Sequence, residues 1–254
     1  MHHGVFEIEN ALDVIPFYKQ HPEYKPFIGN KFDKYRILQV GESHYIGQSN
    51  TYAPFSLEYF DKWWTDRCDE LYKHPDGDPE TTCWGSWYNT QEVIGRFLKN
   101  NQKNYSIFMN MIRALNEVTE LPACDDEKQN YQYFAFMNFF QMPSLYQGMS
   151  FKDSLYMVAK ETDAPAAVYK RTVAESCTVL DGVINILRPN AIVFTSKAAY
   201  RAYCDHKGET ANIDNRIINT VHPCCSWWNR PIKRFGGRTG RQELERALSD
   251  LLIK

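Results

Sequence analysis

Four short apolar runs punctuate the chain, and each stops at a polar residue or a turn former. Arg36-Ile37-Leu38-Gln39-Val40 halts at Gly41, the pattern of a buried strand entering a turn. Tyr131–Phe140 is a second run, its strand ending at Asn138 and followed by Pro143. Ala191-Ile192-Val193-Phe194-Thr195 is a third, and Ile217-Ile218-Asn219-Thr220-Val221 a fourth that ends at His222-Pro223. Helical patterns lie between them. Val173, Cys177, Leu180, Ile184 and Leu187 recur at steps of 4, 3, 4 and 3, one face of a helix that Pro189 terminates. Thr90 suits the cap of a helix over about 91–100, Tyr105–Val118 reads as another, and Lys197–Tyr203 follows the third strand directly. Thr239 with Gln242 forms a capping box. Beyond it, Leu244, Ala247, Leu248, Leu251 and Leu252 share one face of a closing helix.

Strands alternating with helices predict an α/β fold, a three-layer α/β/α arrangement with a mostly parallel central sheet covered on both faces. The pattern runs through residues 1–254 as a single α/β domain. Residues 1–34, rich in Tyr, Phe, Pro and Lys, are expected to form an irregular N-terminal arm with one short helix. Residues 47–90 are aromatic, hold an acidic excess from Glu58 to Glu80, and contain the turn signal His74-Pro75-Asp76-Gly77-Asp78-Pro79. They read as an insertion or lid after the first strand.

Composition narrows the function classes. The net charge of −2 excludes a globally basic nucleic-acid binder and leaves room only for a local basic strip. Aromatic residues make up 15%, enough to fill a core and also to line a groove or stack on bases. Cys68, Cys83, Cys124, Cys177, Cys204, Cys224 and Cys225 are odd in number and form no CxxC pair, which points to a reducing compartment, the cytoplasm. Cys68, His74 and Cys83 are irregularly spaced with no evident fourth ligand, so no metal is expected. No apolar run approaches the roughly 18–20 residues that span a bilayer, so no membrane partner is expected. The opening Met1-His2-His3-Gly4 lacks a basic segment followed by an apolar one, so no signal peptide is expected either.

In parallel sheets ligands bind beyond the carboxyl ends of the strands. Three of the four predicted strands end there in polar groups: Glu42-Ser43-His44-Tyr45, Asn138 and His222. Next to His222 runs a segment without an acidic residue that carries Trp227, Trp228, Arg230, Lys233, Arg234, Arg238 and Arg241, with Gly236-Gly237 in its midst. Basic side chains there neutralise phosphates, and an apolar one can wedge into a base stack. The plain reading of the same segment is a solvated basic loop with two tryptophans packed beneath it. Ser43 likewise suits a helix cap, and His44 a packed, hydrogen-bonded histidine.

Gly41-Glu42-Ser43-His44-Tyr45, then Asn138, then His222-Pro223-Cys224 resemble, in order, the three signature segments of the uracil-DNA glycosylase superfamily. That resemblance implies the superfamily's α/β/α fold and a base in DNA as the ligand, with no cofactor and a monomeric chain. It assigns Asn138 to reading the polar edge of a flipped base, and Tyr45 to limiting the space beside it. His222 would donate a hydrogen bond to the departing base anion. Phe139, Phe140 or Tyr52 would stack on the base, and His44 lies in the same base-binding segment. Glu42 matches branches with a carboxylate second in the motif, where it orients water or stabilises an oxocarbenium-like sugar. Ser43 stands where many members hold the attacking water with Asp or Asn, His44 replaces the usual proline, and Cys224 the usual serine. Two other functions use the same residues. One is a nucleic-acid-binding relative without catalysis. The other is an esterase of the GDS/SGNH type, with Ser43 as nucleophile, His222 as base and Asn138 as oxyanion donor. That family expects Asp where this chain has Asn219, and Gly-x-Asn-Asp where it has Phe136-Met137-Asn138-Phe139.

Overall fold

A computed structural model describes residues 3–45, 63–64, 89–99, 105–144, 149–158, 164–208 and 214–253. Apart from Trp63, Trp64, Asn89 and Thr90, the expected lid over 47–90 lies outside the described residues, as do Tyr52, Cys68, His74 and Cys83.

The four predicted strands form. They are β2 (Ile37–Gly41), β3 (Phe134–Asn138), β4 (Ala191–Phe194) and β5 (Ile217–Asn219), and they pair in parallel. A fifth, β1 (Phe27–Ile28), joins the edge antiparallel to β3, with Phe27 opposite Phe136 and Ile28 opposite Ala135. The sheet is therefore mixed, in the order β1-β3-β2-β4-β5. The sequence pattern missed β1 because two residues carry no alternation to read. It also understated the arm, which holds α1 (His3–Ala11), α2 (Pro16–Gln20) and two 3₁₀ turns before β1.

Every residue of β2, β3 and β4 is buried. Alternation sends their side chains into two cores on opposite faces. Leu38, Val40, Ala135, Met137, Ile192 and Phe194 pack on one face. Against them lie α5 (Phe151–Val158), α6 (Ala164–Leu187) and α7 (Lys197–Lys207), together with the N-terminal arm. Ile37, Phe134, Phe136, Ala191, Val193 and Ile218 pack on the other. That face is covered by α3 (Thr90–Lys99), α4 (Ser106–Thr119) and α8 (Gly240–Leu252). Two covered faces give the three layers that the alternation of elements predicts.

Helix boundaries show what local chemistry decided. The Thr239–Gln242 capping box starts α8 as expected, with both reciprocal bonds made. For α3 the cap is Asn89, whose side chain accepts from Glu92 N–H at 3.0 Å, and not Thr90. The Thr90 hydroxyl instead lies 3.2 Å from His44 Nε2. The periodic stripe ending at Leu187 belongs to a helix that begins at Ala164, and Arg188 takes a left-handed φ of 47° to leave it before Pro189. Helix α5 was not expected at all. Ser150 caps it, with Asp153 N–H donating to its hydroxyl at 3.1 Å.

Gln39 is the one polar side chain pointing from β2 into a core, and it is fully buried. Tyr131 O–H donates to its Oε1 at 2.7 Å, while its Nε2 has no partner. Removing one partner of such a pair costs more than replacing both by apolar groups. Tyr131→Phe is therefore expected to lower stability in urea denaturation by about 1–3 kcal/mol, and adding Gln39→Met should recover most of that loss.

Candidate functional site

Parallel pairing brings the ends of β2, β3, β4 and β5 to one edge of the sheet. Beyond it the chains of β2 and β3 stay together, because Phe139 N–H donates to Gly41 O, Phe140 N–H to Glu42 O and Ser144 N–H to His44 O. Strand order places the end of β2 centrally, with Asn138 on one side and the β4 and β5 ends on the other. The chain runs from β2 outward to β3 and then returns across β2 to β4, so the order reverses at β2, where open α/β sheets bind ligands.

Glu42 sits at that reversal and is held from two directions. Its Oε1 accepts from Phe151 N–H at 3.0 Å, at the first residue of α5. Its Oε2 accepts from Ser196 O–H at 2.7 Å. Ser196 is the N-cap of α7, its hydroxyl also accepting from Ala199 N–H at 3.2 Å. A carboxylate at two helix N-termini meets the positive ends of both dipoles. Neither Ser196 nor Phe151 was expected at the site, since a short polar stop after a strand reveals the cap but not the distant group it binds.

His222 stands at the opening of the loop that follows β5. Cys224 N–H donates to its Nδ1 at 3.2 Å, so the neutral ring carries its proton on Nε2. That Nε2–H has no partner among the described residues. The loop itself is tied down, with Cys225 N–H on His222 O at 2.9 Å and Asn110 Nδ2 donating to Pro223 O at 2.7 Å. The ring keeps an exposed edge while protein crowds its other flank, and this partial desolvation lowers its pKa from the ordinary 6.5, opposed by the negative charge of Glu42. The same charge, after burial, pushes up the phenol of Tyr45. Tyr169, on α6, responds first to burial, then to Asp205 and Glu42. Glu42, His222, Tyr45 and Tyr169 therefore share one electrostatic neighbourhood, of which the sequence offered the first three.

Asn138 is 8% exposed, and its amide makes no hydrogen bond among the described residues. Ser43 is buried and its hydroxyl has no partner among the described residues. It caps no helix, and the Ser43–His222 hydrogen bond of an esterase nucleophile is not formed. Asn219, at the position where that family places its acid, has a buried, unpartnered Oδ1 and does not support His222. His44 is a packed histidine, with its ring 5.0 Å edge-on from Tyr24.

Three expected contacts are corrected. Phe139 is fully buried, in edge-on contact with Phe140 at 4.9 Å and Tyr203 at 6.3 Å. Phe140 is buried as well, stacked on Phe151 at 4.5 Å. Both rings are core, so neither has a face open to a base. Trp228 is buried beneath the loop in the core shared by α4 and α8, leaving Trp227, 53% exposed, as the outward tryptophan. The basic side chains also separate. Arg238 pairs with Glu243 at 2.6 Å, and Arg241 with Glu245 at 2.6 Å and Glu117 at 3.2 Å. Arg230, Lys233 and Arg234 are exposed with no ion pair among the described residues, Arg234 lying over the Phe235 ring at 4.6 Å.

Among the described residues no group of three His, Cys, Asp or Glu side chains is placed to hold a metal ion, and no helix is long and apolar enough to cross a membrane. No family model, curated protein or solved structure matches the chain.

The electrostatics fix a measurable sign. In a titration followed by ring NMR, His222 should lose its proton at a pH below 6.5, and Glu42→Gln should move that midpoint lower still. An unchanged midpoint in the variant would separate the two groups. Because the folded-state pKa is depressed, the unfolded chain takes up the proton first. The contribution of neutral His222 to stability is thus complete above the unfolded value and declines as the pH falls toward the folded one.

Proposed function

We propose that the carboxyl edge of the sheet binds a base of DNA in the manner of the uracil-DNA glycosylase superfamily and that the chain hydrolyses its N-glycosidic bond. The observation that carries this reading is a pairing at one strand edge. There, a carboxylate fixed in place by Phe151 N–H and Ser196 O–H lies near a neutral histidine whose Nε2–H is unpartnered among the described residues. Breaking the bond between base and sugar sends the electron pair to the base and leaves positive charge on the sugar. A neutral imidazole N–H stabilises the first without first having to lose a proton, and a fixed carboxylate stabilises the second. Asn138 would read the polar edge of the base and Tyr45 would bound its space, while a water oxygen bonds to the sugar and its proton passes to the departing base. Arg230, Lys233, Arg234 and Trp227, beside His222, would carry the strand's phosphates and an exposed base.

A second reading rests on Glu42. Both of its oxygens already accept protein donors, a state that suits a purely structural carboxylate and a chain that binds a base without cutting it.

Single-turnover assays over oligonucleotides carrying different damaged bases decide between the two. Under the hydrolytic reading, His222→Ala and Glu42→Gln each lower the rate by about a hundred- to a thousand-fold with little change in binding, and Ser43→Ala is milder. Binding without turnover on every oligonucleotide leaves the non-catalytic reading. Loss of both ends the proposal.

The surface is tested separately. Arg230→Ala with Arg234→Ala should weaken DNA binding across sequences and reduce the slope of log affinity against log salt by about two. Arg238→Ala, which removes a residue already paired with Glu243, should change it less. An unaltered slope in the double variant would take this loop out of the interface.

A further inference from the structure

Gly41 ends β2 in ordinary strand pairing, opposite Asn138. It is not among the residues of left-handed φ, so the backbone there does not require glycine. What requires it is space. A Cβ at this position would collide with Asn138 Oδ1 and come within 3.2 and 3.3 Å of the Phe136 ring. The Asn138 amide thus occupies the place of the missing methyl. Below it the Phe136 ring is wedged edge-on against Phe108 at 5.3 Å and closes the notch. The amide makes no hydrogen bond among the described residues, so steric fit into this notch is the constraint that the structure shows on its position.

We infer that Gly41 is a positioning residue for Asn138: the absence of its side chain holds the amide across the end of β2, in the pose from which it contacts the ligand. The inference rests on the base-binding reading for what that ligand is, but not for the interlock itself. The atom a methyl group would strike is the far end of a flexible side chain and not backbone, and the ring behind it needs to yield only a few tenths of an ångström. Gly41→Ala therefore leaves the sheet intact and displaces the amide. Asn138→Ala vacates the notch, so Gly41→Ala on top of it meets no obstacle there. Gly41 and Asn138 should accordingly behave as one unit, with effects that do not add.

Two measurements on the full chain test this. The first needs no ligand. In a side-chain amide NMR spectrum Gly41→Ala should shift the Asn138 NH₂ pair strongly, while the amide pairs of Gln132 and Asn190, distant along the strands, stay in place. An unmoved Asn138 pair overturns the interlock, and so does collapse of the whole spectrum in Gly41→Ala that Asn138→Ala fails to relieve. The second uses a duplex with one uracil opposite guanine and the same duplex undamaged, and reads the ratio of the two affinities. Gly41→Ala should reduce the wild-type ratio by about tenfold, the worth of a lost hydrogen bond, and should reduce it no further in an Asn138→Ala background. Additive losses overturn the positioning role. A wild-type ratio of one shows that uracil is not the base distinguished, and the amide shift then decides the interlock alone.

Discussion

Burial of β2 on both faces is the constraint from which the rest follows. Ile37 to Gly41 lies between two helical layers, and each residue is cut off from water. Such a strand carries polar atoms at a cost unless a partner meets them, as Tyr131 meets Gln39 Oε1 but nothing among the described residues meets its Nε2. Functional groups are therefore pushed out of the strand and onto its end. There the backbone leaves the ladder, and helix N-termini supply donors in place of a neighbouring strand.

Glu42 shows how one helical layer is tied to that end. Helices α5 and α7 both start at the carboxyl edge, and one carboxylate takes a donor from each. A charge fixed in this way costs little reorganisation when charge develops on a ligand beside it. It also sets the balance at His222, where desolvation lowers the affinity for a proton and the carboxylate partly restores it. The opposite layer contributes through α4, whose Asn110 and Ser106 anchor the loop on which His222 is carried. Acid and histidine are thus placed by opposite layers and meet at the edge between them.

The aromatic wealth of the chain is spent mainly inside. Phe140 and Phe151 stack, with Phe139 edge-on and Tyr169 nearby, and Phe97, Phe108, Tyr131 and Phe134 form a matching cluster on the other face. Edge-on and offset contacts of this kind fill volume between layers with rings of fixed orientation. Trp228 does the same work under the basic loop, which leaves Trp227 as the ring presented to solvent. Charge on that loop is sorted in a similar way. Arg238 and Arg241 serve to fasten the start of α8, while Arg230, Lys233 and Arg234 project without ion-pair partners among the described residues.

From its sequence alone the chain declared four strands of a mostly parallel sheet, helix faces that cover them, the capping box of α8, and the polar stops Glu42, Asn138 and His222, although β5 ends at Asn219, short of the expected Val221. These are readable because periodicity and turn chemistry are local: a run of apolar residues and the residue that breaks it lie side by side. Strand order, the two-residue β1 and the cap at Asn89 were decided only in three dimensions. So were the burial of both Phe139 and Phe140 and the sorting of the identical neighbours Trp227, outward, and Trp228, inward, since burial depends on what packs over a residue and not on its type. The partners of Glu42 lie 109 and 154 residues away in sequence. The reason Gly41 is glycine lies across the sheet in Asn138. No local pattern carries such facts, because a contact between distant segments exists only once the sheet has assembled and brought the strand ends to one edge.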